Sequence, residues 1–579
     1  MRFPCRACAA TTAGMSGRGR PAVPCCNLRP LQTRWSPVVF AAIRRWLDDN
    51  ILELGREMRL SYLPPLMVYV AAGVSGLTGI VGTFFVKEYL GLSAAFLAAL
   101  GFWAGIPWAL KMPLGHLVDL VWRHKAGLVW LGASLIAVSL LIMLGLVAEP
   151  RYMGGIMSLE AWFVLSAMLA PVGYVLQDVV ADAMTVEAVP RVDDRGELLP
   201  PETRRLMNTT LQTLGRVAII GGGVLVSLVN VLMFQGVESL PNAARTAIYA
   251  QVYGMALVIP AISVAGVLLA GAIKRREAGR LRARGFDETR LRAILEPPPE
   301  AVKPDWWILG GSLVFVAISV SLGVSQIEFG QEIIFVASLA VITFLMARLL
   351  RQLDEESRRT LLGTAIVIFV FRAMPGPGAG STWWMIDVLG FDQSFLAKLS
   401  LIASVLTLFG LFGFRRFMGE RSIAYIVGFL TLAGTLLSLP TLGMYHGLHE
   451  WTAAHTGGIV DARFIALIDT ALESPLGQIA MVPMLAWIAN SAPANLKATY
   501  FAVMASFTNL ALSASALGTK YLNQMFEVTR EIRDPVTQAT KTAADYSQLG
   551  ALFLICIALG LIVPFAAIAV TRMLRLRSA

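Results

Sequence analysis

Apolar runs of about 20 residues, each long enough to cross the hydrocarbon of a bilayer as a helix, recur along nearly the whole chain. They fall near residues 62–86, 94–118, 126–148, 158–186, 206–235, 246–273, 306–325, 328–350, 360–384, 395–414, 422–444, 463–491, 497–523 and 547–571. The pattern predicts about fourteen transmembrane helices. The longest connection, Ile273 to Asp305, carries Lys274, Arg275, Arg276, Arg280, Arg282, Arg284, Arg290 and Arg292 before Pro297-Pro298-Pro299, and reads as a linker between halves. Six helices precede it and eight follow. The first two of those eight meet at a very short turn, Gln326 and Ile327, and read as an inserted hairpin. Removing it leaves six plus six, the two-half plan of secondary transporters, although a count that keeps the hairpin within the second half fits the same residues. The expected organisation is a partly disordered cytoplasmic tail (1–60), a six-helix half (61–273), a basic linker (274–305), the hairpin (306–350) and a second six-helix half (351–579).

A chain of 579 residues that is 56% hydrophobic and only 15% charged is no ordinary soluble domain. Its net charge of +10 does not point to nucleic acid, because lysine and arginine crowd alternate loops. Arg44, Arg45, Arg56 and Arg59, then Arg123 and Lys125, Arg191 and Arg195, Arg415 and Arg416, and Arg572, Arg575 and Arg577 mark the cytoplasmic side, so both termini are expected inside. Arg530, Arg533 and Lys541 fall in a loop that this topology puts outside, beside Glu527, Glu531, Asp534 and Asp545. The loop from Tyr445 to Ala462 holds His446, His449, Glu450 and His455, and reads as an exposed loop in preference to a metal site. Cys5, Cys8, Cys25 and Cys26 lie in the tail and Cys556 in the last helix, which gives no disulfide framework. A plasma membrane, the inner membrane of a bacterium, is expected. An organelle membrane is the alternative if the tail is a targeting segment, and Met15 is an alternative start.

Asp178 and Asp182 stand four residues apart on one face of an apolar helix, with Glu187 at its end. Carboxylates at such depth pair, gate or move protons. By a rise of 1.5 Å per residue they lie about 30 Å into their helix, near its cytoplasmic end. That suits an inter-helix salt bridge with Lys111, Arg123 or another base, or proton coupling at an inner gate. Glu187 reads as a solvated helix end. In the second span, Gly115 stands four residues before Asp119, followed by Arg123 and Lys125, a spacing that lets two helices approach while Asp119 pairs across the gate.

The stretch from Gly115 to Lys125 resembles a partial loop motif of the major facilitator superfamily. Together with Pro107-Trp108, Lys111 and the Asp178, Asp182 and Glu187 pattern, it resembles the folate-biopterin transporter family within that superfamily. Pro375-Gly376-Pro377-Gly378 with Leu389-Gly390-Phe391 and Phe395-Leu396 looks like the start of that family's second half. Pro483-Met484 and Ala498-Thr499-Tyr500-Phe501-Ala502 with Ser506 and Asn509 extend the likeness, which covers the chain from about Ser61 onward. Lys497 stands where the family pattern has an acidic residue, and the hairpin adds two helices to its usual twelve. The Gln177-Asp178-x-x-x-Asp182-Ala183 core is also similar to the muropeptide permease and acetyl-CoA transporter families. The resemblance implies a major-facilitator-type fold and a folate or pterin as cargo, moved by alternating access with protons.

Arg216, about 15 Å into the fifth helix, and Arg372, about 18 Å into the ninth, are expected near the midplane. An arginine there needs an anion, either a protein carboxylate or a bound one, and the glutamyl carboxylates of a folate would meet a guanidinium through paired hydrogen bonds. Pro375-Gly376-Pro377-Gly378 should break that ninth helix, as a binding site or as a packing kink. Gln212, Gln478 and Asn509 are polar positions in spans, able to bond a substrate ring or a neighbouring helix. Gly221-Gly222-Gly223 reads as close helix packing. Asp469 and Glu473 are expected to pair with Arg463, in preference to receiving protons from outside, and Trp383 and Trp384 to join an interfacial belt, in preference to stacking a pterin-like ring. No nucleophile with a positioned base and no metal set is evident, so the reading is a monomeric transporter of a small molecule, without cofactor, and not an enzyme, with a non-transporting membrane protein as the alternative from another class.

Overall fold

The computed structural model describes most of residues 53–577. Outside the description lie 1–52, 191–198, most of 289–328, 480–496 and 534–539, together with 91, 110, 122–123, 352–353, 415–416, 419–420, 478 and 578–579. The tail cysteines, Arg123, Gln478 and most of the hairpin's first helix therefore fall outside it, as do the side chains of Asp119, Glu187 and Gln212.

From Leu60 onward the chain is a succession of helices: α1 (Leu63–Val74), α2 (Gly79–Tyr89), α3 (Ala94–Ala109), α4 (Lys111–Leu120), α5 (Lys125–Ala148), α6 (Pro150–Ile156), α7 (Leu159–Ala188), α8 (Pro201–Met233), α9 (Asn242–Ala256) and α10 (Val258–Ala283). The second half continues with α11 (Gly330–Leu350), α12 (Glu355–Arg372), α13 (Ala379–Asp387), α14 (Gln393–Gly413), α15 (Ile423–Tyr445), α16 (Leu448–His455), α17 (Ala462–Glu473), α18 (Lys497–Met525) and α19 (Leu549–Met573). Side-chain caps set several starts: Ser158, Asp354, Asp392, Ser422 and Asp461 each accept an amide of the following turn. A two-stranded antiparallel ribbon, β1 (Ile532–Arg533) and β2 (Thr540–Thr542), lies between α18 and α19.

Among the described residues, nine helical stretches are long and apolar enough to cross a membrane. Two of the other expected spans have a local reason for falling short: the run 360–384 is cut into α12 and α13, and α18 carries a polar stripe of Ser506, Asn509, Ser513, Thr519 and Asn523. Most of 306–325 and the second part of 463–491 lie outside the described residues. Two expected loops are helical. The basic linker starts as a continuation of α10 to Ala283, because Lys274 to Ala283 is rich in helix formers and meets no glycine in a left-handed turn until Gly285. The histidine-bearing loop after α15 folds into α16, entered through the left-handed Gly447.

With no water to expel between helices, close packing holds the bundle, and small residues allow it. At the crossing of α1 and α8, a Cβ on Gly222 would stand 2.9 Å from the Cα of Gly73. At that of α5 and α7, a Cβ on Gly132 would meet the carbonyl of Gly173 at 2.6 Å. Phe84, Phe85, Ile136, Leu146 and Tyr249 fill the core of the first half, and Trp384, Phe391, Leu549 and Leu552 that of the second.

Candidate functional site

Pro107 lies inside α3, removing one amide from the ladder, and the span restarts as α4 at Lys111. The Lys111 ammonium reaches α7, where Asp178 and Asp182 project from one face one turn apart. Its Nζ lies 2.6 Å from Asp178 Oδ2 and 2.8 Å from Asp182 Oδ2. The phenol of Tyr69, from α1, donates to Asp182 Oδ1 at 2.8 Å. Gly215 of α8 gives that ring room, since a Cβ there would lie 2.9 Å from Tyr69 Cε2. The next residue, Arg216, is an electrostatic neighbour of both Asp178 and Tyr69. Four helices thus bring two cations, two carboxylates and a phenol together inside an otherwise apolar half. One lysine shared by two carboxylates can keep one ion pair while the other carboxylate takes a proton or an incoming cation.

Arg216 stands close to the middle of α8, and Asp178 and Asp182 lie in the C-terminal half of α7. The bond from Tyr69 to Asp182 ties that part of α7 to the middle of α1.

In the second half, α12 ends at Arg372, residues 374–378 run without helix, and α13 begins after Gly378, whose φ of 74° favours glycine. The freed backbone groups are met by α18. Ser515 donates to the carbonyl of Met374 at 2.7 Å, Thr519 accepts the amide of Gly376 at 3.0 Å, and Asn523 donates to the carbonyl of Pro377 at 3.3 Å. Asn509 of the same helix donates to the carbonyl of Trp108 at 3.3 Å, joining the two halves. Ser227 of α8 joins them again, 2.9 Å from Ser400 of α14.

At the ends of α2 and α13, away from the Lys111 cluster, a second set of polar contacts joins the halves. Lys87 Nζ lies 2.5 Å from Asp387 Oδ1, and Tyr546 donates to Asp387 Oδ2 at 2.5 Å. Arg530, 2% exposed, donates to the carbonyl of Leu92 at 3.1 Å and lies 4.6 Å above the ring of Trp383. Burial pulls its guanidinium down to about 10, against the opposing pull of Tyr546 and Asp387. The loop that fitted the charge bias poorly thus hides one of its arginines in protein. Trp383 and Trp384 are buried too, the latter against Tyr445 and Phe553, so they form no interfacial belt. Arg463 pairs with Asp392 at 2.8 Å in place of Asp469.

In the sequence Tyr69 carries no signal, and Lys87 and Asp387 show only a charge at the end of an apolar span, which is what any helix end offers. Arg530 stands out there by its misfit with the charge bias alone.

Comparison with known proteins agrees with this architecture. A folate-biopterin transporter of Synechocystis sp. is 24% identical over 474 residues, 81% of this chain and 76% of that protein. Among solved structures, a peptide transporter POT in complex with sulfate superposes with a TM-score of 0.53 at 15% identity, covering 90% of this chain and 96% of the other. A POT family transporter in complex with 5-aminolevulinic acid gives 0.52 at 12% identity, over 89% and 96%. At such identities the likeness is one of fold, and the fold is a predominantly helical one of major-facilitator type. The BT1 family pattern matches residues 72–575, and the chain belongs to that family.

Proposed function

We propose that this protein is a secondary active transporter that carries an anionic, pterin-like small metabolite by alternating access, with proton coupling. The observation that carries the reading is Lys111 held between Asp178 and Asp182, with Tyr69 and Arg216 beside them, inside an apolar half. A charge group of this kind is expensive in a membrane unless it is used. Its carboxylates exchange a proton as Lys111 shifts between them, and Arg216 offers the guanidinium face for a substrate carboxylate. Arg372 supplies a second cation from the opposite half, next to the helix break. The name of the Synechocystis relative supports a folate or pterin. The contacts of Lys87 and Arg530 support a state closed at that end, which the charge bias assigns to the outside. Uptake of labelled folate and pterins into proteoliposomes, with and without a proton gradient, tests the reading. Gradient-driven uptake of one of them is expected, and none under either condition would sink the substrate claim.

A further inference from the structure

We infer that the outside of the bundle carries a site for the head group of an aminophospholipid, where α11 packs against α3 and α18. A cavity of about 480 Å³ opens there, its lining on α3 reaching Trp103, about 12 Å along the chain's helical rise from Lys111, and containing no residue of the cluster around that lysine. Phe96 and Trp103 line it from α3, Phe329, Gln331 and Glu332 from the start of α11, and Lys520 from α18. Phe96 and Phe329 are 43% and 58% exposed, and in a chain that crosses a membrane such rings at the rim meet acyl chains. Phe329 is also held at a φ of 59°, a conformation that an aromatic residue rarely adopts.

The polar floor of the cavity is incompletely matched. Lys520 Nζ lies 3.0 Å from Glu332 Oε1, and Tyr521 donates to the same oxygen at 2.5 Å. Among the described residues Glu332 Oε2 has no partner. The neighbouring Gln331 spends its amide NH2 on the carbonyl of Ala99 at 3.2 Å and leaves its Oε1 without one. Among the described residues two adjacent acceptors thus lack donors, beside a lysine that meets Glu332 through one oxygen and stands 5.0 Å from the centre of the Tyr521 ring.

A ligand with a single charge would meet attraction from one member of the Glu332–Lys520 pair and repulsion from the other. A zwitterion with its charges two carbons apart meets both: its phosphate takes Lys520, and its ammonium takes Glu332 and Gln331. The vacant acceptors require N–H donors, which a primary ammonium has and a trimethylated one lacks. Ethanolamine phospholipid therefore fits and choline phospholipid does not, while the aromatic rim receives the chains. The site gives the inserted hairpin a use, since α11 is its second helix.

The test is native mass spectrometry of the purified full chain equilibrated with phosphatidylethanolamine or phosphatidylcholine of identical chains. Preferential retention of the ethanolamine lipid by roughly tenfold is expected, the worth of about one charge-assisted hydrogen bond. Glu332→Gln and Lys520→Gln should each abolish the preference, and Gln331→Leu, which keeps the ion pair, should reduce it with unchanged thermal unfolding. Equal retention of the two lipids, or a preference that survives Glu332→Gln, overturns the proposal. Full displacement of the lipid by soluble phosphoethanolamine would overturn the lipid assignment in favour of the free head group.

Discussion

Lys87 at the end of α2 and Asp387 at the end of α13 form an ion pair of 2.5 Å between the two halves, and Tyr546 completes the carboxylate. On the proposed reading of these contacts as a closed state, Asp387→Asn should remove about 2 kcal/mol from it and shift its population by roughly thirtyfold. Alkylation of a single cysteine introduced at Leu92 should then be faster from that side of the membrane. An unchanged labelling rate would show that the pair does not hold the halves together.

Lys111 has two carboxylates, and the two should not be equivalent to losing one. Asp178→Asn or Asp182→Asn alone leaves an ion pair and should retain substrate exchange while weakening the dependence of uptake on the proton gradient. The double variant leaves Lys111 buried without a counter-charge, a loss of about 3–5 kcal/mol, and should abolish transport. Counterflow and gradient-driven uptake, measured side by side, separate these outcomes.

On the proposed function, Arg216 and Arg372 hold the substrate anion. Arg372→Lys keeps the charge but loses the planar fork, and should raise the KM for an anionic substrate by roughly tenfold with a smaller effect on the maximal rate. A change confined to the maximal rate would assign Arg372 to the conformational cycle instead.

Gly132→Val puts a branched side chain against the carbonyl of Gly173 and should lower stability by roughly 1–3 kcal/mol, whereas Gly254→Ala meets nothing within 4 Å and should be tolerated. Thermal unfolding of the two purified variants checks this pair.

The ribbon between α18 and α19 should be acid-sensitive. The Ser547 hydroxyl, and then its amide, hold the exposed Asp545 carboxylate below its usual range. A group with a lowered folded value stabilises the fold above its unfolded value, about 3.9, and loses that contribution as pH falls through the folded one. Proteolysis within residues 529–545 should therefore speed up below about pH 4, and Asp545→Asn should remove the change.

Helix positions were legible because spans of about 20 apolar residues are imposed by the bilayer, and the expected run 126–148 differs from α5 by one residue at its start. The break at Pro375 to Gly378 was legible too, since proline and glycine act locally. Helix starts were less so, since α8 begins at Pro201, five residues ahead of the expected run from 206. Partners across the chain were least legible: nothing near Tyr69 says that it meets Asp182, 113 residues away, or that Arg530 lies under protein on Trp383.

Ser515, Thr519 and Asn523 recur every four residues on α18, and each grips a successive part of the unwound segment ahead of α13. The Pro-Gly run is therefore laced to its neighbour like a strap along a splint. The run is fastened as a clasp and not left free as a hinge. On the proposed alternating-access cycle α13 and α18 then travel as a single lever, and a rigidifying substitution in this run should slow transport far less than its composition suggests.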